Sequence, residues 1–376
     1  AYNYFALVKR YGGVPLILKE TALDAPEEEL YPYRASAEEV YDFIFEELEE
    51  IADLLPAAPL AGRAGKGAAL ALLSRAALYA GSIAKYDSPQ YQLVDPVTNK
   101  LLCGLPAEKA NDYFQKAYDA CCRIMTECNY SLYKGNADKV QNLRDIFLVK
   151  NNCEAIMVRR FDGTKESNYL WSWDIALSPK PNAWSVGQYA LAYYNFIEQF
   201  EFKDGTSGAI DRTELVSHPW DMKEFFADRD PRLYATLWVP GMSWNGKSVE
   251  TGRMYGGAAN AYSTVYVSKY FDGTDTKNSW DSPQDFYAIR YAEVLVSLAE
   301  CYAEIGKLDE AIALVDQIRA RVNMPSVESV EGSGLSQDEV RQIVRHERRV
   351  ELGFEGFRLF DLYRWRLLED AKDRVN

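Results

Sequence analysis

Histidine is almost absent from this chain: 376 residues carry only His218 and His346. His218 precedes Pro219 and Trp220 in a loop-like stretch, and His346 lies inside a run of charges. Neither has a nucleophile or metal partner close in sequence, so each reads as structural. There is no GxSxG, no HExxH and no phosphate loop. The six cysteines, Cys103, Cys121, Cys122, Cys128, Cys153 and Cys301, form no CxxC pair. Neither a disulfide framework nor a zinc site can be read from them, and free, buried thiols are the expectation. Basic residues are also short: 42 Lys and Arg face 56 Asp and Glu, a net charge of −14. That balance argues against nucleic acid as a partner, because phosphates need a basic stripe. It argues equally against docking on an anionic membrane surface. No apolar stretch is read as reaching the ~18 residues of a membrane span. No signal peptide is visible, and Ala1 to Arg10 reads as the inside of a helix without an N-cap. The reading is therefore a fragment of a longer precursor.

What is present is helical periodicity in pairs. With 48% hydrophobic residues, the chain can bury one large core or two ordinary ones. Residues 295–318 fit the tetratricopeptide pattern. Leu295, Leu298, Ala299 and Tyr302 share one face of a first helix, and Gly306 ends it. Ala311, Val315 and Ile318 line a second helix, and Pro325 closes the unit. A second copy pairs Leu70, Leu73, Ser74, Ala77 and Gly81 with Ala110, Phe114 and Ala117. An insertion from Ser82 to Glu108 separates its two halves. A further helix runs from about Ser36 to Leu55, with a Ser36–Glu39 capping box and a stripe of Val40, Ile44, Leu48, Ile51 and Leu55. Its partner is the helix at residues 1–11.

The middle of the chain differs. Between residues 129 and 287 helical periodicity weakens, and Trp171, Trp173, Trp184, Trp220, Trp238, Trp244 and Trp280 all fall there. Glu154–Arg160 and Thr264–Lys269 read as strands. Asp272 to Asp275 reads as a turn without the spacing of a calcium loop. The expected architecture is mainly α: tetratricopeptide-like hairpins over 1–128 and 288–376, carrying a loop-rich insertion over 129–287 within one domain.

Charge is concentrated in the run from Arg345 to Trp365. Glu347, Glu351 and Glu355 recur every four residues, with Arg341, Arg345 and Arg349 on the neighbouring face. Burying such charges costs several kcal/mol each unless they are paired. The expectation is that these arginines pair with the three glutamates and with Asp361, clamping the last helices.

This run resembles the C-terminal signature of the SusD/RagB family. Three further elements resemble that family and occur in its order: Tyr11-Gly12-Gly13-Val14-Pro15-Leu16, Arg229-Asp230-Pro231-Arg232-Leu233 and Ile289-Arg290-Tyr291-Ala292-Glu293. The resemblance implies a nutrient-binding lipoprotein on the outer face of the bacterial outer membrane. It implies a SusC-like TonB-dependent transporter as partner, an oligosaccharide or polysaccharide as ligand, no cofactor and no covalent step. The lipid anchor belongs to an inferred precursor. The family's lipobox and first helices, and the tail beyond the run, are missing from this chain.

The residues themselves propose where sugar is held. An aromatic face covers the C–H side of a sugar ring while amides and carboxylates bond its hydroxyls. Trp171, Trp173 and Asp174 offer that mixture, as do Asn182 and Trp184, and Trp244 has polar neighbours. Trp220 and Trp238 lean toward the core. The acidic surface suits a neutral or basic ligand better than an anionic one, although a local pocket can override net charge. Peptide cargo, a protein-only adaptor and a two-carboxylate glycosidase are the alternatives.

Overall fold

The computed structural model describes residues 1–162, 192–211, 222–244, 247–248, 265–270 and 283–372. Its helices in chain order are α1 (Tyr2–Tyr11), α2 (Glu27–Leu30), α3 (Ala37–Ala52), α4 (Lys66–Tyr86), α5 (Ala110–Glu127), α6 (Lys139–Leu148), α7 (Tyr194–Ile197) and α8 (Met222–Phe225). They continue with α9 (Pro231–Thr236), α10 (Tyr291–Glu304), α11 (Leu308–Arg321), α12 (Val327–Glu331), α13 (Gln337–Glu351), α14 (Arg358–Arg364) and α15 (Leu368–Lys372). The strands are short: β1 (Leu93–Val94), β2 (Leu101–Cys103), β3 (Ala155–Arg159), β4 (Leu237–Trp238), β5 (Ser243–Trp244), β6 (Lys247–Ser248), β7 (Tyr266–Val267) and β8 (Phe286–Arg290). They form two-stranded antiparallel ladders: β1–β2, β3–β8, β4–β7 and β5–β6. The fold is mainly helical, as its periodicity predicts.

The chain divides into two compact units. The first comprises Ala1–Asn129, Ser297–Lys307 and Arg358–Asp373. Its centre is α4, buried from Gly67 to Ala84 and packed between α3 and α5. By length and composition α4 is long and apolar enough to cross a membrane. That corrects the reading of no such stretch; here its whole apolar window is buried inside the protein, as befits a core helix. The two helices read as the second repeat copy do meet. A Cβ on Gly81 would lie 2.9 Å from the Phe114 ring, so only glycine lets α5 come this near. Ser74 and Cys121 touch across the same seam at 2.9 Å. On α3, Ser36 and Glu39 form the expected capping box, and Tyr4 of α1 meets Phe43 edge-on at 5.3 Å.

Three expectations change here. The α3 stripe stops early: Val40, Ile44 and Leu48 are buried, but Ile51 is 43% exposed and the helix ends at Ala52. Helix α4 runs past Ser82 to Tyr86, and the Ser82 hydroxyl is accommodated within it by donating to the Leu78 carbonyl. The cysteines are all free, but only Cys121 and Cys301 are buried, and Cys153 is exposed.

The second unit comprises Tyr130–Val296, Leu308–Phe357 and Arg374–Asn376. Strand β3 confirms the alternation read at 154–160, and its partner β8 contains Ile289 and Arg290, so the motif read as leading into a helix begins as a strand. The strand read at 264–269 is only Tyr266–Val267. Helix α9 packs on α6, and α11 packs on α12 and α13. One apolar cluster gathers Phe200, Phe226, Leu233, Leu237 and Val267. Another gathers Leu143, Phe147, Tyr270, Tyr287 and Val322.

Helix α10 belongs to the second unit up to Val296 and to the first from Ser297. Its end is the predicted one. Gly306 has φ +82°, and the Lys307 amide donates to the Tyr302 carbonyl at 2.8 Å, the pattern of a glycine-ended helix.

Candidate functional site

Of the predicted ligand residues, Trp171, Trp173, Asp174, Asn182 and Trp184 lie outside the described residues, as do Trp220, Trp280, His218 and Asp272–Asp275. Trp244 ends β5 and pairs in register with Lys247 of β6. Trp238 is core, as its apolar neighbours suggest: it is buried, and the Arg144 guanidinium stacks 4.5 Å from its ring.

What the described residues do bring together is charge, and it comes from the motifs. In the second unit Arg290 of β8 donates to three carboxylates. Nη1 reaches Glu154 at 3.1 Å and Glu351 at 2.8 Å, while Nε reaches Glu355 at 2.7 Å. Arg321 bonds Glu154 at 2.7 Å and also Glu351. Arg232 forks onto Asp230 and bonds Glu347. Lys269 reaches Glu355 at 2.7 Å, and Arg319 lies 3.7 Å from Glu347. All of these side chains are almost wholly buried. Three motifs far apart in sequence, joined by Glu154, Lys269, Arg319 and Arg321, therefore meet as one network.

The pairing reaches beyond the run. Glu347, Glu351 and Glu355 pair with Arg232, Arg290, Arg319, Arg321 and Lys269, all of which lie outside it. Helix α13 ends at Glu351, so Glu355 joins from the turn beyond it. Of the run's own cations, Arg349 donates to the Asn195 carbonyl at 3.2 Å. One expected pair is present, in the first unit: Arg364 to Asp361 at 3.0 Å. Glu154, Lys269, Arg319 and Arg321 were missed. A charge at the edge of a strand or the end of a helix carries no sequence mark of its partner.

The network sets protonation. Burial opposes the Glu351 charge, but Arg321, Arg290 and Arg232 outweigh it and hold its carboxyl well below the ordinary 4.5. Glu355 is likewise depressed: burial opposes its charge, and Arg290 with Lys269 overcomes that. A carboxyl depressed in the folded state stabilises the fold above its unfolded value and loses that contribution as pH falls toward its folded value. The melting temperature is therefore expected to drop steeply below about pH 4.5. Circular dichroism melts from pH 7 to pH 3 check this; a flat profile across the acid range contradicts it.

Two clefts open in the second unit. One, of about 470 Å³, has an aliphatic floor of Val327, Val330, Leu335 and Ile343 and a rim carrying Glu331, Asp338, Glu339 and His346. The His346 Nε2 meets the Gln199 carbonyl at 2.7 Å, in keeping with a structural role. The other, of about 400 Å³, lies at the start of α6 beside Lys134, Gly135, Asn136 and Lys139.

With this geometry in hand, the family comparison is decisive. Residues 153–375 match the model of the SusD family, and residues 1–78 match a second model described as starch-binding associating with outer membrane. The chain belongs to the SusD family. SusD-like protein P38 of Formosa agariphila is 25% identical over 389 residues, spanning 100% of this chain and 66% of that protein. SusD-like protein P2 of the same organism is 31% identical over 173 residues, spanning 44% of this chain and 33% of that protein. A SusD-like protein from Bacteroides fragilis superposes with a TM-score of 0.77 at 25% identity, covering 97% of this chain and 67% of that one. A SusD-like carbohydrate-binding protein from the same species gives 0.68 at 26% identity, covering 98% and 66%. The SusD-family chain thus spans at most about two thirds of these relatives. The Arg232, Arg290 and Glu347–Glu355 network lies inside the matched 153–375 segment.

Proposed function

We propose that this SusD-family chain captures oligosaccharide or polysaccharide at the outer face of the outer membrane. It then passes the glycan to a SusC-like TonB-dependent transporter. The family match over 153–375 carries the reading, and the carbohydrate-binding relative from Bacteroides fragilis supports it. The proposal gives the protein no catalytic step and no cofactor. The helical hairpins serve as scaffold and the 129–287 segment as the ligand-holding part. Attachment to the membrane by a lipid is part of the same proposal. The buried ion pairs fit the scaffold role, since paired charges of this kind are spent on each other.

Calorimetric titration against a panel of neutral and acidic polysaccharides tests capture. Co-purification with the transporter tests delivery. Saturable binding to one glycan class is the expected result; no binding to any glycan removes the reading. Within it, Trp173→Ala is expected to weaken glycan binding by about 1–3 kcal/mol through loss of ring burial, with little change in melting temperature. Unchanged affinity with a large loss of stability would place Trp173 in the core instead.

One observation favours peptide cargo as the second reading. The cleft beside His346 sets aliphatic side chains against carboxylates that outnumber its one arginine, Arg319, with no Phe, Tyr or Trp among its described lining residues. That suits a lysine or arginine side chain better than a sugar face. Binding of a basic peptide in the same titration, with silence from every glycan, would select it.

A further inference from the structure

The chain carries 56 acidic side chains, yet the cleft at the start of α6 has none in its lining. Its charged lining residues are Lys134, Lys139 and Arg321. Lys134 is exposed and Lys139 half-buried, and neither makes an ion pair among the described residues, where Lys66, Lys85, Lys100, Lys109 and Lys116 all do. Arg321 is 3% exposed, and its Nε is buried with no acceptor among the described residues.

The nearby carboxylates are already committed. Asp138 caps α6 by accepting from the Gln141 amide at 2.9 Å. Asp145 accepts from the side chains of Asn136 and Gln141. Glu154 accepts from Arg290, Arg321 and the Tyr133 amide. No acidic residue lines this recess of about 400 Å³, which is large enough for a sugar unit, and neither lysine is ion-paired among the described residues. Helix α6, with 10 residues, adds the positive end of its dipole in the same place. Gly135, in the lining, has no room for a side chain: a Cβ there would lie 2.3 Å from the Tyr133 hydroxyl oxygen, so the tyrosine lies over the bare glycine.

We infer that this cleft is a subsite for an anionic saccharide, one whose sugar carries a carboxylate or a sulfate ester. The inference rests on the carbohydrate-capture reading and narrows its ligand class. It reverses, at one place, the preference for neutral or basic ligands that net charge suggests. Local charge decides it, because the Debye length confines each lysine's field to its neighbourhood. Ammonium groups bond carboxylate or sulfate oxygens directly, and the Asn136 and Asn142 side chains give the recess a polar wall.

The test is calorimetry on the full chain at low salt, with three probes: tetragalacturonate, its fully methyl-esterified form and a sulfated carrageenan tetrasaccharide. Each is also titrated into Lys134→Gln/Lys139→Gln. At least one anionic probe is expected to bind more tightly than the neutral ester. The double variant is expected to lose about tenfold of that affinity and to melt as the parent does, since neither lysine makes an ion pair among the described residues. Whether the galacturonate or the carrageenan arm responds distinguishes carboxylate from sulfate. Equal binding of ester and acid, or an anionic affinity untouched in the double variant, overturns the subsite and leaves carbohydrate capture standing. No binding of any probe, together with silence across the wider glycan panel, overturns both.

Discussion

Arg290→Leu is expected to destabilise the protein by about 3–5 kcal/mol, because it leaves buried carboxylates short of their partner. Arg290 serves Glu154, Glu351 and Glu355 together, and its Nη2 also holds the Glu351 carbonyl at 2.9 Å. After the substitution Glu355 keeps Lys269, and Glu154 keeps Arg321. Neither Lys269 nor Arg321 reaches all three carboxylates and the Glu351 carbonyl at once, as Arg290 does. Lysine at the same position is expected to recover only part of the loss, since a compact ammonium cannot repeat that geometry. Urea unfolding of Arg290→Leu and Arg290→Lys at pH 7 measures both. The Arg290→Leu protein is also expected to lose part of the acid sensitivity described above, because Arg290 is one source of the depressed Glu351 and Glu355 carboxyls. A loss under about 1 kcal/mol would mean that water reaches the network and that the pairs behave as surface pairs do.

Arg364→Leu is expected to cost a similar amount, about 3–5 kcal/mol, in the first unit. Arg364 is fully buried and grips Glu300 with both terminal nitrogens, Nη2 at 2.7 Å. Its Nη1 also donates to the Ser82 hydroxyl at 2.6 Å, and its guanidinium stacks 4.5 Å from the Trp365 ring. Leucine takes both guanidinium bonds from Glu300, whose bond from the Trp365 indole N–H at 2.8 Å supplies no charge to replace them. Adding Glu300→Gln removes the carboxylate charge while keeping an acceptor for that indole. The double substitution is therefore expected to regain about half of the loss, by the asymmetry between a broken buried pair and a neutral one. A double variant no more stable than Arg364→Leu would show that the arginine's packing on Trp365 matters and its charge does not. The Arg290 and Arg364 networks share no partner, so their costs are expected to add.

The helices were legible because their signals are local. The capping box at Ser36 and Glu39 involves residues three apart, and the same device recurs at Ser336 and Glu339. Gly306 ends α10 through backbone geometry that glycine tolerates. Gly81 and Phe114 were legible as small and large faces of a helix pair, which the structure joins. The end of α3 was misjudged because Ile51 and Leu55 continue the apolar spacing past the point where the chain turns. A stripe records which face is apolar, not how far the neighbouring helix extends to cover it. For the ligand site, sequence offers residue types suited to sugar at Trp171, Trp173, Asp174, Asn182, Trp184 and Trp244. Its emphasis on net charge gave no hint of the lysines at α6, in a recess lined by no acidic residue, because a sum over the chain hides a local deficit of acid.

The sequence by itself determined that the protein is mainly helical, where its capped helices begin, where α10 ends and which family it joins. These properties rest on neighbours within a helical turn or on motifs read in order. Only the tertiary structure decided how the charges pair. The partners of Glu351 and Glu154 lie between 30 and 167 residues away. A glutamate on a helix face looks the same in sequence whether water or a buried arginine meets it. The energy at stake is settled by burial, which arises only once the chain has brought β8, α9, α11 and α13 together.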